Sequence, residues 1–166
     1  MKRRIPLLLA LLAAAASAGD NRPIDTKAAF ARLKTLVGEW QGTGEKKSER
    51  LSYELIAGGT SLIERETADN RPAMITVYHM DGNRLLLTHF CMAGNQPRME
   101  AREFDPATGR LHFDFMDATN LPGKDSGHMH AATLRIADHD HLASTWVYYE
   151  GGKPKFTEDS EFTRVR

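Results

Sequence analysis

Seven histidines and a single cysteine are the side chains in this sequence best suited to binding a metal ion or moving a proton. His89 and Cys91 are two residues apart, and His128 and His130 have the same spacing further along the chain. Side chains two positions apart on a β-strand face the same side of the sheet. Imidazole and thiolate together suit zinc, copper or iron. Imidazoles also orient organic ligands through hydrogen bonds or form a plain polar patch, so three interpretations stay open.

The turn geometry of a predicted hairpin determines whether a third histidine, His79, faces the same side of the sheet as His89. The dipeptide Asp81-Gly82 lies between two apolar segments and is typical of a tight β-hairpin. A three-residue loop with Gly82 in the left-handed conformation would place His79 on the same face as His89. A two-residue turn would instead place other residues of the first strand on that face, namely Met74, Thr76 and Tyr78. The sequence is compatible with both registers.

The loop that follows the His89 strand offers further polar groups for a ligand. Asn95 supplies an amide, and Arg98 supplies a planar guanidinium suited to a carboxylate or phosphate. Gly94 and Pro97 are ordinary turn formers, so the segment equally suits a plain turn. In a meander of strands, this loop and the loop at 117–127 would lie at the same end. The candidate ligand-binding residues are therefore His79, His89, Cys91, Asn95, Arg98, His128 and His130.

No residue is assigned a catalytic role, because the sequence contains no nucleophile elbow, H-E-x-x-H segment or phosphate-binding P-loop. Glu64, Glu66 and Asp114 lie on predicted strands, but their spacing does not mark a pair of catalytic carboxylates. The segment His139-Asp140-His141 has the composition of a metal site. With Asp138 beside it at a hairpin tip, however, it is typical of a solvated turn, and no metal ligand set is assigned.

The N-terminal segment has the layout of a secretory signal peptide. A basic start, Met1–Arg4, precedes an apolar run, and Ala16-Ser17-Ala18 provides small residues for signal-peptidase cleavage. The apolar run is shorter than the roughly 20 residues of a membrane-spanning helix. We therefore expect residues 1–18 to be a cleaved signal peptide. The mature protein is then expected to be periplasmic or secreted, without membrane association after cleavage.

The composition of the remaining chain indicates one globular domain and argues against a nucleic-acid partner. The leader holds three of the 22 basic residues and none of the 22 acidic residues, so the mature net charge is about −3. The basic residues form no stripe of the kind that binds nucleic acid. Cys91 is the only cysteine, so no internal disulfide can form and the apolar core must supply the stability.

Hydrophobic periodicity changes from helical to alternating near residue 39. Phe30, Leu33 and Val37 repeat at helical spacing before Gly38, so residues 19–38 are expected to form a linker and a helix. From 39 to 166, short alternating segments are joined by turn sequences, and closure of such hairpins removes exposed strand edges. The predicted fold is all-β: a single antiparallel up-and-down β-barrel of nine or ten strands with one short N-terminal helix. A two-sheet sandwich is the alternative.

The segment Gly38-Glu39-Trp40 resembles the G-x-W motif of the calycins, which comprise lipocalins, fatty-acid-binding proteins and their bacterial relatives. The whole chain resembles exported bacterial proteins of this lipocalin-like class. The resemblance implies that Trp40 closes one barrel end and that a basic residue of the last strand, best Arg164, stacks on it. The string from Gly38 to Gly44 is similar to the opening of nitrobindin-like haem barrels. Those barrels carry an iron-binding histidine near the C-terminus, whereas the last histidine here is His141.

These features predict an exported barrel that binds a small molecule, with a largely apolar ligand and polar groups at the mouth. The hypothesis requires no cofactor, and a small-molecule ligand is the expected partner. The alternative is a haem- or metal-binding barrel that uses the His/Cys cluster for redox or isomerase chemistry. A third alternative is an interaction domain with a solid core. The sequence indicates neither the identity of the ligand nor the oligomeric state.

Overall fold

Residues 23–166 form one helix followed by ten β-strands. The computed structural model describes residues 23–166, and the predicted signal peptide at 1–18 lies outside the described residues. The elements are α1 Thr26–Lys34, β1 Gly38–Gly42, β2 Glu49–Ile56, β3 Ser61–Ala68, β4 Arg71–Asp81, β5 Arg84–Phe90, β6 Gln96–Asp105, β7 Arg110–Thr119, β8 His128–Ile136, β9 His141–Glu150 and β10 Lys153–Arg164. Single turns of 3₁₀ helix, Gly44–Lys46 and Ala57–Gly59, follow β1 and β2.

The ten strands form a closed antiparallel barrel. Each strand pairs with the next along the chain, and β1 also pairs with β10, so the sheet closes on itself. The predicted up-and-down barrel is confirmed, with the higher of the two expected strand numbers, and the sandwich alternative is wrong. Closure gives each of the ten strands a partner on both sides, which removes the exposed edges that promote aggregation.

The helix covers one end of the barrel. The hydroxyl of Thr26 donates to the backbone oxygen of Asn83 in the β4–β5 turn at 2.9 Å. The ammonium of Lys34 donates to the backbone oxygen of Gly59 in the β2–β3 connection at 2.8 Å. We call this the helix end, and we call the opposite end, which carries the β1–β2, β3–β4, β5–β6, β7–β8 and β9–β10 connections, the loop end. Within residues 23–166, no helix has the length and apolar character needed to cross a membrane.

Trp40 and Arg164 join the first and last strands at the helix end. The Cζ atom of Arg164 lies 4.3 Å from the ring centroid of Trp40, whose indole N–H donates to the backbone oxygen of Leu36 at 2.8 Å. Three Arg164 N–H groups donate at 2.7 Å to the backbone oxygens of Thr35, Val37 and His139. Gly38 has a φ of 124°, and a Cβ atom there would lie 3.0 Å from Arg164 Nη1, so this position requires glycine.

The barrel interior is divided into a packed half and a polar half. Toward the helix end, large apolar side chains form one buried cluster, which includes Phe30 and Leu33 of α1. The largest members of this packed half are Trp40, Leu62, Tyr78, Leu85, Leu87, Met99, Leu111, Phe113 and Leu134. Toward the loop end, glutamate, histidine and serine side chains also face inward, beside Met74, Met129 and Trp146. Space for a ligand is therefore confined to the loop end of the interior.

Candidate functional site

A cavity in the loop-end half of the barrel combines enclosure with polar side chains. Its volume is about 30 Å³, counted as the space that the centres of water molecules can occupy. Four carboxylates line it, those of Glu49, Glu64, Glu66 and Glu158. The apolar part of the lining consists of Met74, Met129, Trp146 and Phe162, and His89 and Ser160 complete it. The apolar side chains suit the body of a small organic molecule, and the polar ones suit a hydrogen-bonding group.

Glu64 is the deepest of the carboxylates, at the boundary between the packed half and the cavity. The hydroxyl of Tyr78 donates to its Oε2 atom at 2.9 Å, and both side chains are buried. Burial raises the pKa of Glu64, although the hydrogen bonds it accepts favour its ionised form. Burial and the Glu64 carboxylate in turn raise the pKa of Tyr53 and of Tyr78 well above the ordinary value. Both tyrosines therefore remain hydrogen-bond donors at neutral pH.

Glu66 lies one step nearer the opening on the same strand, and its carboxyl holds a proton at neutral pH. Burial, followed by the charges of Glu64, Glu49 and Glu158, raises the pKa of Glu66 to about 8, against a smaller opposing effect of Lys46. Carboxylates that share a small space cannot all ionise unless a cation compensates them. The cavity therefore carries a carboxyl group that a bound cation would convert to its charged form.

Lys46 is the cation at the opening of the cavity. Its Nζ atom lies 2.9 Å from Oε1 of Glu49 and also forms an ion pair with Glu158. Burial disfavours the charged ammonium, but the hydrogen bonds and charges of these two carboxylates raise the pKa of Lys46 overall. Gly42 permits this arrangement, because a Cβ atom there would lie 2.0 Å from the Lys46 backbone oxygen. The tight β1–β2 connection thus places the Lys46 ammonium beside the carboxylates of Glu49 and Glu158.

His89 is the one histidine, among those of residues 23–166, that lines the cavity. Its Nδ1 atom lies 3.0 Å from the hydroxyl oxygen of Thr76, and its ring lies against Trp146 with 4.7 Å between the centroids. Burial lowers the pKa of His89 to about 4, so the ring is neutral at physiological pH. Its Nε2 atom is buried and has no hydrogen-bond partner in the protein. A buried polar atom without a partner is unfavourable, and a ligand would relieve this.

The β4–β5 pairing settles which residues share the His89 face. Asp81 pairs with Arg84, so the hairpin has a two-residue turn, and Thr76 pairs with His89. His79 therefore lies on the outer face of the barrel and does not approach His89.

The Cys91 side chain is half-buried beside the core. Its sulfur accepts a hydrogen bond from the backbone N–H of Ala93 at 3.4 Å, and burial raises the pKa of its thiol.

A bulge in β8 keeps the paired histidines out of the cavity. The pairing register shifts between Met129 and Ala131, so that Met129, rather than either histidine, points inward. Outside the cavity, Nε2 of His128 lies 3.0 Å from Nδ1 of His130, and the His130 ring stacks on Tyr149 with 3.9 Å between the centroids. A single extra residue thus reverses the facing that strict alternation predicts for these two side chains.

The two polar candidates of the β5–β6 connection have structural contacts at the loop end. Asn95 is buried, and its amide donates to the backbone oxygen of Gly127 at 2.8 Å, which links its loop to the 117–127 loop. The carbonyl oxygen of this side chain has no partner in the protein. Arg98 is exposed on the outer face and is held by Asp117, with its Nε atom 2.6 Å from Oδ1. Neither side chain lines the cavity.

The sequence prediction missed the carboxylates that line the cavity. On β3, Glu64 and Glu66 continue the inward set that begins with the buried Leu62, and on β2, Glu49 has the same relation to Leu51. A signal was therefore available, because these inward positions change from apolar to acidic toward the loop end of each strand. Acidic residues at core positions are unusual and often mark a functional site.

Comparisons with protein-family models and with curated protein sequences give no match. Among residues 23–166, no three His, Cys, Asp or Glu side chains converge in the way that a metal ion requires. The arguments about function that follow therefore rest on the geometry of the cavity.

Proposed function

We propose that this protein is a binding barrel that holds a small organic molecule in the cavity at its loop end. The observation that carries the proposal is His89, which lines the cavity beside Trp146 and Met129 and has a buried Nε2 atom without a hydrogen-bond partner. A hydrogen-bonding group on the ligand would satisfy this nitrogen, and an apolar part of the ligand would pack on the indole and thioether. Such binding requires neither haem nor a metal ion.

The packed half of the barrel limits the size of the ligand. The cavity ends at Glu64 and Tyr78, and the remaining interior toward α1 is filled by apolar side chains. A ligand of only a few heavy atoms fits this space, rather than a fatty acid or a tetrapyrrole. We further propose, from the leader at 1–18, that binding takes place in the periplasm or outside the cell. The calycin-like motif at Gly38–Trp40 agrees with a binding barrel at the level of the fold alone.

A fragment screen by NMR tests the proposed function. The chain has two tryptophans, and their indole N–H signals report on the two halves of the interior: Trp146 lines the cavity, and Trp40 lies in the packed half. Fragments of a few heavy atoms are expected to shift the Trp146 signal and leave the Trp40 signal in place.

Two leucine substitutions provide the matched controls. Ser160→Leu fills the cavity from β10 and is expected to abolish the shift, whereas Ser52→Leu, on the outer face of β2, is expected to preserve it. The proposal is wrong if no fragment moves the Trp146 signal, or if the response of the Ser160→Leu variant equals that of the unmodified protein.

A further inference from the structure

The cavity is rich in hydrogen-bond acceptors and poor in donors. Four carboxyl groups line it, and none of the described residues that line it is Lys or Arg. Within residues 23–166, Lys46 is the one cation in contact with these groups; it reaches Glu49 and Glu158 at the opening and leaves Glu64 and Glu66 deeper inside. A ligand that is complementary to such a surface carries several N–H donors and a positive charge.

His89 adds an acceptor of a different kind. The Thr76 hydroxyl oxygen lies 3.0 Å from Nδ1 of His89 and can accept from an Nδ1–H group. In this tautomer Nε2 of His89, which is buried and has no partner in the protein, carries a lone pair. His89 is 3 % exposed, so a donor on a ligand that enters the cavity would satisfy an otherwise unpartnered nitrogen.

Lys46 shows what kind of group the opening accommodates. The end of a lysine side chain is a primary ammonium on a four-carbon apolar chain. The Lys46 ammonium lies 2.9 Å from Glu49 Oε1 and also pairs with Glu158, so the protein already holds one primary ammonium against two of the four carboxylates. This internal ammonium occupies the outer part of the acceptor-lined space.

We propose that the cavity selects a primary ammonium group carried on a short apolar chain, and that Lys46 occupies the outer part of this site until the ligand displaces it. The inference rests on the proposed function and specifies its ligand class. The ammonium donates to the Glu66 carboxylate and to His89 Nε2, while the chain packs on Trp146 and Met129. When it binds, the proton of Glu66 is released to solvent, because the cation compensates the charge of the carboxylate.

Three probes of matched size test this selection. Butylammonium, 1-butanol and butyrate are titrated against the full mature protein, and binding is followed through the Trp146 indole signal, with the Trp40 signal as the internal reference. Butylammonium is expected to bind about tenfold or more tightly than 1-butanol, and butyrate is expected to bind more weakly than either. The affinity for butylammonium should rise between pH 6.5 and 9, because a larger fraction of Glu66 is then ionised before the ligand binds. The charged groups that face Glu66 are Glu64, Glu49, Glu158 and Lys46.

Three variants assign the selection to named side chains. Glu66→Gln is expected to remove most of the preference for butylammonium over 1-butanol and to abolish the rise in affinity with pH. Lys46→Met removes the internal competitor with little change in volume, and it is expected to strengthen butylammonium binding several-fold. Glu161→Gln, on the outer face of β10, is the matched control and should change neither measurement.

The outcomes separate this inference from the proposed function. If 1-butanol or butyrate shifts the Trp146 signal with an affinity equal to that of butylammonium, the barrel binds small molecules but the ammonium selectivity is wrong. If Lys46→Met weakens butylammonium binding, the displacement of Lys46 is wrong. If none of the three probes shifts the Trp146 signal, both the inference and the proposed function fail.

Discussion

Tyr78 donates its hydroxyl to Oε2 of Glu64 across 2.9 Å, and this hydrogen bond lies where the apolar core of the barrel meets its polar cavity. The two residues lie on the adjacent strands β3 and β4, in which Glu64 pairs with Thr76 and Leu62 pairs with Tyr78. A buried carboxyl group is tolerated when donors surround it. The pair therefore lets an acidic residue occupy an interior position without disrupting the packing beneath it.

Removal of the Tyr78 hydroxyl should destabilise the protein. Tyr78→Phe removes a hydrogen-bond donor from the buried Glu64 carboxyl, and we expect the free energy of unfolding to fall by about 1–3 kcal/mol. The double variant Tyr78→Phe/Glu64→Met removes both partners and should recover part of this loss. Urea unfolding at pH 7 measures both values, with Tyr149→Phe as the control. A double variant less stable than Tyr78→Phe alone would contradict this account of the pair.

Glu66 should make the barrel less stable as the pH rises. Its pKa is about 8 in the folded protein and 4.5 as the ordinary value, so the folded state holds the proton more tightly. Its contribution to stability is therefore fully present below about pH 4.5 and is lost as the pH rises to about 8. Glu66→Gln should be more stable than the unmodified protein above pH 8, by on the order of 1–3 kcal/mol, and the difference should shrink toward pH 4.5. Thermal unfolding across this range, with Glu161→Gln as the control, measures the effect.

The contribution of His89 to the stability of the fold should change with pH in the opposite direction and decrease as the pH falls. Its pKa falls from 6.5 to about 4 on burial, so its contribution to stability is present above pH 6.5 and is lost as the pH falls to about 4. His89→Phe keeps a ring against Trp146 and should lose this part of the acid dependence, which is on the order of 2 kcal/mol. An NMR titration of the His89 ring in the folded protein gives a direct check. A midpoint near 6.5 would show that the ring is not buried as described.

Arg164 should contribute more to stability than its neighbour Arg166. Arg164→Ala removes the cover of the Trp40 ring and three donors to backbone oxygens, and we expect a loss of about 2 kcal/mol. The stability of Arg164→Lys should lie between that of Arg164→Ala and that of the unmodified protein, because a single ammonium cannot reach all three separated backbone oxygens. Arg166→Ala removes an exposed ion pair with Asp140 and should change stability by no more than about 0.5 kcal/mol. Thermal unfolding of the three variants gives the ranking.

The architecture could be predicted from the sequence because its signals are local. The period-two alternation and the turn dipeptides identify the strands, and the β-barrel follows from the need to close a regular meander. The helix ends at Lys34, although the helical spacing of apolar residues continues to Val37, because Thr35 and Leu36 form the turn that leads into β1. Such a boundary depends on the packing of Leu36 and on its bond to Trp40, which no local pattern contains.

The cavity could be predicted only in part, because its residues are brought together by register. Of the histidines proposed from the sequence, His89 lines the cavity. The β4–β5 turn directs His79 outward, and the bulge in β8 directs His128 and His130 outward. One residue of register reverses the facing of every side chain that follows, and turn geometry controls that residue. The contact of Lys46 with Glu158 joins positions 112 residues apart, which no spacing rule reveals.

The division of the interior between an apolar half and an acidic half has a consequence for how such a protein changes over time. Distant substitutions have nearly independent effects on stability, so the lining near the opening can vary without weakening the base that holds the strands together. Evolution of this barrel could therefore change the proposed ligand preference through a few inward side chains near the opening, while the apolar base preserves the fold.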